Sequence, residues 1–214
     1  MIHIHKTPSM LKYWFTDLYW KMPLQEHPCI YLTFDDGPVP TVTDFVLETL
    51  HKYQAKGTFF CVGDNIAKYP HLFKKIIQQG HQIGNHTFHH LNGWKRDCTT
   101  YLRNAIQCEW EMKKYCTAKS TEKMLFRPPY GRFTKKQYLK LREHYKIIMW
   151  DVLTCDYDVN LDAQKCLSRS IKATENGSVV VFHDSYKAEK NLRYVLPRYI
   201  EYFSAKGFHF EAIL

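Results

Sequence analysis

Cys29-Ile30-Tyr31-Leu32-Thr33-Phe34-Asp35-Asp36-Gly37-Pro38 is the stretch on which the reading of this chain turns. Its apolar half is short, rich in β-formers and stopped by Gly37-Pro38, so residues 30–34 are expected to form a buried strand. Two carboxylates close that strand, and like charges pressed together repel unless a cation shares the site. An acidic turn with an Asp capping the helix expected from residue 41 would explain the pair without a ligand. A second stretch, Asn85-His86-Thr87-Phe88-His89-His90, argues otherwise. His86 and His90 stand four apart, so on one helical turn both imidazoles face the same side, and neutral imidazole is a common ligand of zinc and its neighbours. Twelve histidines in 214 residues make chance pairs ordinary. A histidine pair together with an acidic turn, however, makes a three-ligand divalent site with one carboxylate to spare.

Two further stretches carry reactive side chains. In Phe126-Arg127-Pro128-Pro129-Tyr130-Gly131 the prolines stiffen a turn and remove backbone donors, which leaves the Tyr130 amide as one of few N–H groups free to face a ligand. Val179-Val180-Val181-Phe182-His183-Asp184 is a β-branched run ending in a histidine. Taken singly, Arg127 reads as a surface arginine and His183 as a satisfied core histidine.

The order of these motifs, Thr-Phe-Asp-Asp-Gly-Pro, His-Thr-x-x-His, Arg-Pro-Pro-Tyr and Phe-His, resembles the polysaccharide deacetylase family of carbohydrate esterases, whose homology domain is shared with chitooligosaccharide deacetylases. The likeness runs from about Ile30 to His183. It implies Asp35 as catalytic base and Asp36, His86 and His90 as ligands of one divalent ion, zinc foremost, with cobalt, nickel or manganese as alternatives. It also implies Arg127 as the group orienting the base, the Tyr130 N–H as an oxyanion donor and His183 as general acid. One segment departs from the family pattern. In Trp150-Asp151-Val152-Leu153-Thr154-Cys155-Asp156-Tyr157, Leu153 takes the place of the aspartate that tethers the acid histidine, and Tyr157 that of a tryptophan. Asp156, with Asp151 as second candidate, is the residue expected to substitute, although Asp156-Tyr157-Asp158 reads equally as a helix-initiating acidic loop. Tyr157 and Phe182 are expected to line an apolar pocket for an acetyl methyl.

Length and pattern agree with one α/β domain. Strand-like runs fall at 30–34, 58–62, 81–84, 124–127, 147–152, 179–182 and 209–213, and helical patterns lie between them. Strict alternation implies a parallel sheet, and seven strands imply a distorted, incomplete (β/α)7 barrel, as the resemblance does. Asp35, Asp36, His86, His90, Arg127 and His183 then all lie at carboxyl ends of strands, where residues distant in sequence share a cleft.

The remaining features set boundaries. Seven cysteines, odd in number and without C-x-x-C, fit buried small hydrophobes in a reduced protein. The N-terminal region lacks an uninterrupted apolar core, so neither a signal peptide nor a spanning helix is read, and a cytoplasmic location is expected. Residues 1–28 read as an extension packed on the barrel, with Leu11, Trp14, Phe15 and Leu18 as its apolar stripe. The net charge of +9 is scattered, and no nucleic-acid motif accompanies it. The expected substrate is an N-acetylated glycan, peptidoglycan or a chitin-like oligosaccharide, hydrolysed to acetate and a free amino sugar. An O-acetyl polysaccharide esterase and a catalytically weak carbohydrate-binding module are the alternatives, and the oligomeric state is left open.

Overall fold

The computed structural model describes residues 4–116 and 123–214. Its first half runs α1 (Ser9–Trp14), β1 (Cys29–Asp35), α2 (Val42–Lys52), β2 (Gly57–Cys61), α3 (Gly63–Lys68), α4 (Pro70–Gln78), β3 (Gln82–Asn85) and α5 (Cys98–Lys113). The second half runs β4 (Met124–Phe126), α6 (Lys135–His144), β5 (Tyr145–Ile147), β6 (Val152–Leu153), α7 (Ala163–Ala173), β7 (Val179–His183), α8 (Glu189–Ser204) and β8 (His209–Phe210). The strands pair in parallel in the order β5-β4-β3-β2-β1-β7-β6, and β8 pairs with the start of β1. The sheet curls into an incomplete barrel flanked by helices. Central β1 is buried along its whole length, which is why its sequence shows an apolar run rather than alternation.

Alternation still decides which layer each side chain enters. Ile30, Leu32 and Phe34 of β1, with Val180 and Phe182 of β7, pack outward against Val46 and Leu50 of α2 and Leu192 and Leu196 of α8. Tyr31 and Val179 point the other way, into an inner cluster with Phe60, Leu125, Ile148 and Ile213. Each large aliphatic or aromatic side chain so buried contributes roughly 1.5–3 kcal/mol of transfer free energy. The inner face of β1 thus climbs from Tyr31 in the apolar floor through Thr33 to Asp35 at the rim.

The run 147–152, expected to be one strand, is two. β5 pairs with β4 at one edge of the sheet and β6 with β7 at the other. Residues 148–151 cross the open seam, Ile148 N donating to Phe126 O at 2.9 Å and Asp151 N to Val179 O at 2.9 Å. One straight strand cannot pair with both edges of a sheet that does not close, so the chain bends between them.

The N-terminal segment fastens to the same seam: Thr7 N donates to Asp151 O at 2.8 Å, Met149 N to Tyr19 O at 2.8 Å and Leu153 N to His5 O at 3.0 Å. Its apolar stripe is divided. Leu18 is buried beside Tyr101 and Phe126, but no residue of α1 is buried, and Trp14 is 66% exposed. The expected packing of the stripe therefore fails for Leu11, Trp14 and Phe15. Backbone bonds and the ion pairs of Lys6 and Lys12 with Asp151 hold this segment instead. Among the described residues, no helix is long and apolar enough to cross a membrane.

Candidate active site

Parallel register sets Asp35 of β1 beside His183 of β7 and beside Phe60 of β2. Arg127, one residue beyond β4, enters the same interior and is fully buried. Its Nη1 donates to Asp35 Oδ1 and to Thr33 Oγ1, each at 2.7 Å. Its Nη2 donates to Met149 O at 2.8 Å and its Nε to Ile148 O at 3.2 Å, so the same guanidinium satisfies the carbonyls of the seam. Its plane lies over the Phe60 ring, 4.0 Å from the centroid. Phe60 can sit there because its neighbour on β3 is Gly84, where an added Cβ would meet the ring at 2.4 Å. Burial pulls the Arg127 pKa down, opposed by Asp35.

Asp36 follows β1 in a turn clamped from β7. Asp184 accepts from Gly37 N at 3.0 Å and from Thr43 Oγ1 at 2.6 Å, and a Cβ on residue 37 would fall 1.9 Å from Asp184 Oδ2. Neither aspartate of the pair caps α2, whose N-cap is Thr41.

His86 and His90 converge on Asp36, but not as one helical turn. The segment after β3 is a loop with left-handed φ at Thr87 (62°) and His90 (52°). Its backbone is tied to side-chain amides, Thr87 N donating to Asn85 Oδ1 at 2.8 Å and His89 N to Asn104 Oδ1 at 3.0 Å. These short-range bonds displace the i to i+4 helical ladder, so the expected spacing is met by a different local structure.

His90 Nε2 lies 3.1 Å from Asp36 Oδ1 and His86 Nε2 lies 3.7 Å from it. All three ligand atoms fall within 4.8 Å of one another. His86 Nδ1 is 2.8 Å from Arg127 O, and a carbonyl can only accept, so the proton sits on Nδ1 and the Nε2 lone pair faces Asp36. Burial pushes the His86 pKa down to about 4, which keeps the ring neutral. Asp36 is held well below the usual carboxylate range: burial acts against this, and His90, His183 and His86 outweigh it. Two imidazoles, one oriented by a backbone carbonyl, with one carboxylate suit a divalent ion of zinc type that keeps open positions.

The residue facing His183 is Asp156. Its Oδ1 lies 2.7 Å from His183 Nδ1, and its Oδ2 accepts the His183 backbone N–H at 2.9 Å. Burial works against protonation of the imidazole, but Asp156, then Asp36 and Asp35, outweigh it and lift the pKa to about 9. Asp151, the second candidate, is engaged elsewhere by Lys6, Lys12 and Ser178. Leu153 thus leaves no gap behind His183.

Tyr157 meets His183 edge-on, with centroids 5.0 Å apart. Phe182 does not join it. It points outward and stacks on Phe34 at 6.0 Å, because successive residues of a strand face opposite sides. Tyr130 occupies a left-handed conformation (φ 61°) in the turn Pro129–Gly131, whose own bonds run from Gly131 N to Pro128 O and from Arg132 N to Pro129 O. Neither of those bonds uses the Tyr130 N–H, which has no acceptor among the described residues, while its ring lies edge-on to His90 at 4.7 Å.

Asp35, Asp36, His86, His90, Tyr130, Tyr157 and His183 line one cavity of about 400 Å³, with Arg127 and Asp156 buried behind its wall. Its wall also includes Trp150, Leu153, Val181, Arg132 and Lys187, which no motif in the sequence singles out as cleft residues. The strand period could have supplied Val181, since it shares a face with His183. Trp150 and Leu153 enter through the bend at the seam, which no local pattern marks.

The chain belongs to the polysaccharide deacetylase family, whose model matches residues 24–146. It is 30% identical over 196 residues to a peptidoglycan-N-acetylglucosamine deacetylase of Bacillus cereus, covering 91% of this chain and 90% of that one. It is 33% identical over 160 residues to the peptidoglycan-N-acetylmuramic acid deacetylase PdaA of Bacillus subtilis, covering 72% of this chain and 59% of the relative. The crystal structure of the Bc1960 peptidoglycan N-acetylglucosamine deacetylase superposes with TM-score 0.85 at 26% identity, over 97% of this chain and 95% of that one. BA3943 of Bacillus anthracis, a pseudoenzyme of the same fold, superposes with TM-score 0.79 at 20% identity, over 91% of this chain and 66% of its own. The shared fold alone does not carry activity, and the chemistry open to this chain rests on the side chains of its cleft.

Proposed function

We propose that this chain hydrolyses the N-acetyl groups of an N-acetylated glycan, of peptidoglycan or chitin type, releasing acetate and leaving a free amine. Asp36, His86 and His90 would hold one divalent ion, zinc foremost. When bound, that ion supplies Lewis-acid polarisation of the acetamide carbonyl and acidifies a water toward pKa ~7.

The chain's own residues supply the rest. Arg127 fixes one oxygen of Asp35 and leaves the other free to accept the proton of the attacking water. The Tyr130 N–H, unused by its own turn, serves the oxyanion as the tetrahedral centre forms. His183, protonated through neutral pH by its contact with Asp156, gives its proton to the departing nitrogen. An amine is a poor leaving group without that proton. Leu153 and Val181 line the cavity with apolar surface suited to the acetyl methyl.

The observation that carries this reading is the convergence, on one cavity, of a three-atom ligand set with Asp35 and His183, each held from behind by a buried partner, Arg127 and Asp156. Asp35→Asn tests it. The variant is expected to bind metal as wild type does and to lose activity by roughly 10²–10⁴ on an N-acetylated oligosaccharide, the usual size for removal of a general base. Wild-type rates in that variant would assign the base elsewhere.

A further inference from the structure

Arg132 and Lys187 enter the cleft from different walls, Arg132 after the turn beyond β4 and Lys187 after β7. The carboxylates in and behind the cleft are already engaged by other groups: Asp35 by Arg127, Asp156 by His183, and Asp36 by the ligand histidines His90 and His86. Among the described residues, neither Arg132 nor Lys187 is matched with an acid. Each lies on an aromatic ring instead. Arg132 Cζ is 4.8 Å from the centroid of Trp94, and that ring is pinned by its Nε1 donating to Phe133 O at 3.1 Å. Lys187 Nζ is 5.4 Å from the centroid of Tyr157, the ring that packs against His183.

Contact with a ring steadies a long cationic side chain without neutralising it. Stacking also occupies the flat face of a guanidinium and leaves its N–H edge open, and that edge is what pairs with a carboxylate. The cleft wall therefore carries two ring-braced, solvent-exposed cations that, among the described residues, no acid engages. A neutral sugar chain would offer them no ionic partner, whereas a carboxylate would.

We propose that Arg132 and Lys187 select a substrate bearing a carboxylate, on the sugar that is deacetylated or on its immediate neighbour. This rests on the deacetylase reading above and narrows its substrate class to anionic N-acetylated glycans. The lactyl ether of N-acetylmuramic acid is a group of this chemistry.

The test compares three substrates: peptide-free strands of alternating N-acetylglucosamine and N-acetylmuramic acid, the same strands with the lactyl carboxyl converted to its methylamide, and chitotetraose. Amidation is expected to raise KM about tenfold in the wild type with kcat changed less than about twofold, since uniform binding is what is lost. Arg132→Gln and Lys187→Gln should each raise KM for the carboxylated strands about three- to tenfold and change KM for the amidated strands less. Lys187→Arg, which keeps the charge, should keep the preference. Equal kcat/KM on carboxylated and amidated strands, or variants that slow both alike, would overturn the inference. Acetate released from chitotetraose with no preference for carboxylate would remove the inference and leave the deacetylase reading standing. If no substrate releases acetate, that reading fails, and calorimetric binding of carboxylated against amidated strands to wild type and Arg132→Gln decides the inference alone.

Discussion

Asp156 engages His183 twice, its Oδ1 2.7 Å from the ring Nδ1 and its Oδ2 2.9 Å from the backbone nitrogen. The second bond fixes the carboxylate to the strand that carries the histidine, so ring and acid move together. Nδ1 is thereby occupied, and Nε2 is the nitrogen left for substrate.

That contact sets the sign of the pH dependence. The imidazole is raised above its ordinary ~6.5 to about 9, so the acid form is complete below the ordinary value and is lost as pH rises through the raised one. A divalent ion on Asp36 offsets that carboxylate's share, so the alkaline limb of kcat/KM in the loaded enzyme belongs below about 9. In Asp156→Asn, burial acts with less opposition, and the limb should move acidic by more than about one pH unit. A limb that stays in place would detach Asp156 from the acid, and a limb that persists in His183→Ala would detach His183.

Arg127 supports both fold and chemistry. Arg127→Ala strands Asp35 in the interior and leaves the carbonyls of Ile148 and Met149 without their donor. Loss of one partner of a buried pair costs about 3–5 kcal/mol, so thermal unfolding should fall by about 6–20 degrees or the chain should not fold. Arg127→Lys keeps the charge but not the fork, and should fold with reduced kcat and an altered acidic limb. An unchanged melting temperature in Arg127→Ala would refute the keystone role.

Metal content should track the ligand set. His86→Ala and His90→Ala are each expected to lose stoichiometric zinc by elemental analysis, while Tyr157→Phe retains it. Chelation should abolish activity, and added zinc or cobalt should restore it. Wild-type zinc content in His86→Ala would place the ion elsewhere.

Much of this site is legible because the chemistry sits at strand ends, and strand ends show in sequence as apolar runs stopped by turn residues. Asp35, Asp36, Arg127 and His183 show in that way, and the pairing of Asp35 with His183 follows from parallel register. The rest depends on tertiary context. The two histidines meet through left-handed residues and the amides of Asn85 and Asn104, and i, i+4 spacing cannot distinguish that loop from a helix. The bend between β5 and β6 is imposed by the open seam, so Leu153 faces the cavity, which no local pattern shows; Asp156 is named by the motif order but reads equally, on local grounds, as part of a helix-initiating loop, and only the fold sets it on the histidine. For Phe182 the strand period alone turns the ring away from the cleft, against the pocket expected for it. Arg132 and Lys187 give no signal, since lone basic residues among 30 are unremarkable until the fold sets them in the cleft.

The most direct measurement is acetate and free amine released together from an N-acetylated oligosaccharide by the zinc-reconstituted protein, beside its chelated form and His90→Ala. Equimolar acetate and amine from the zinc form alone are expected. No acetate above the blank from protein carrying one zinc per chain, or undiminished release from His90→Ala, would contradict a metal-dependent deacetylase at this cleft.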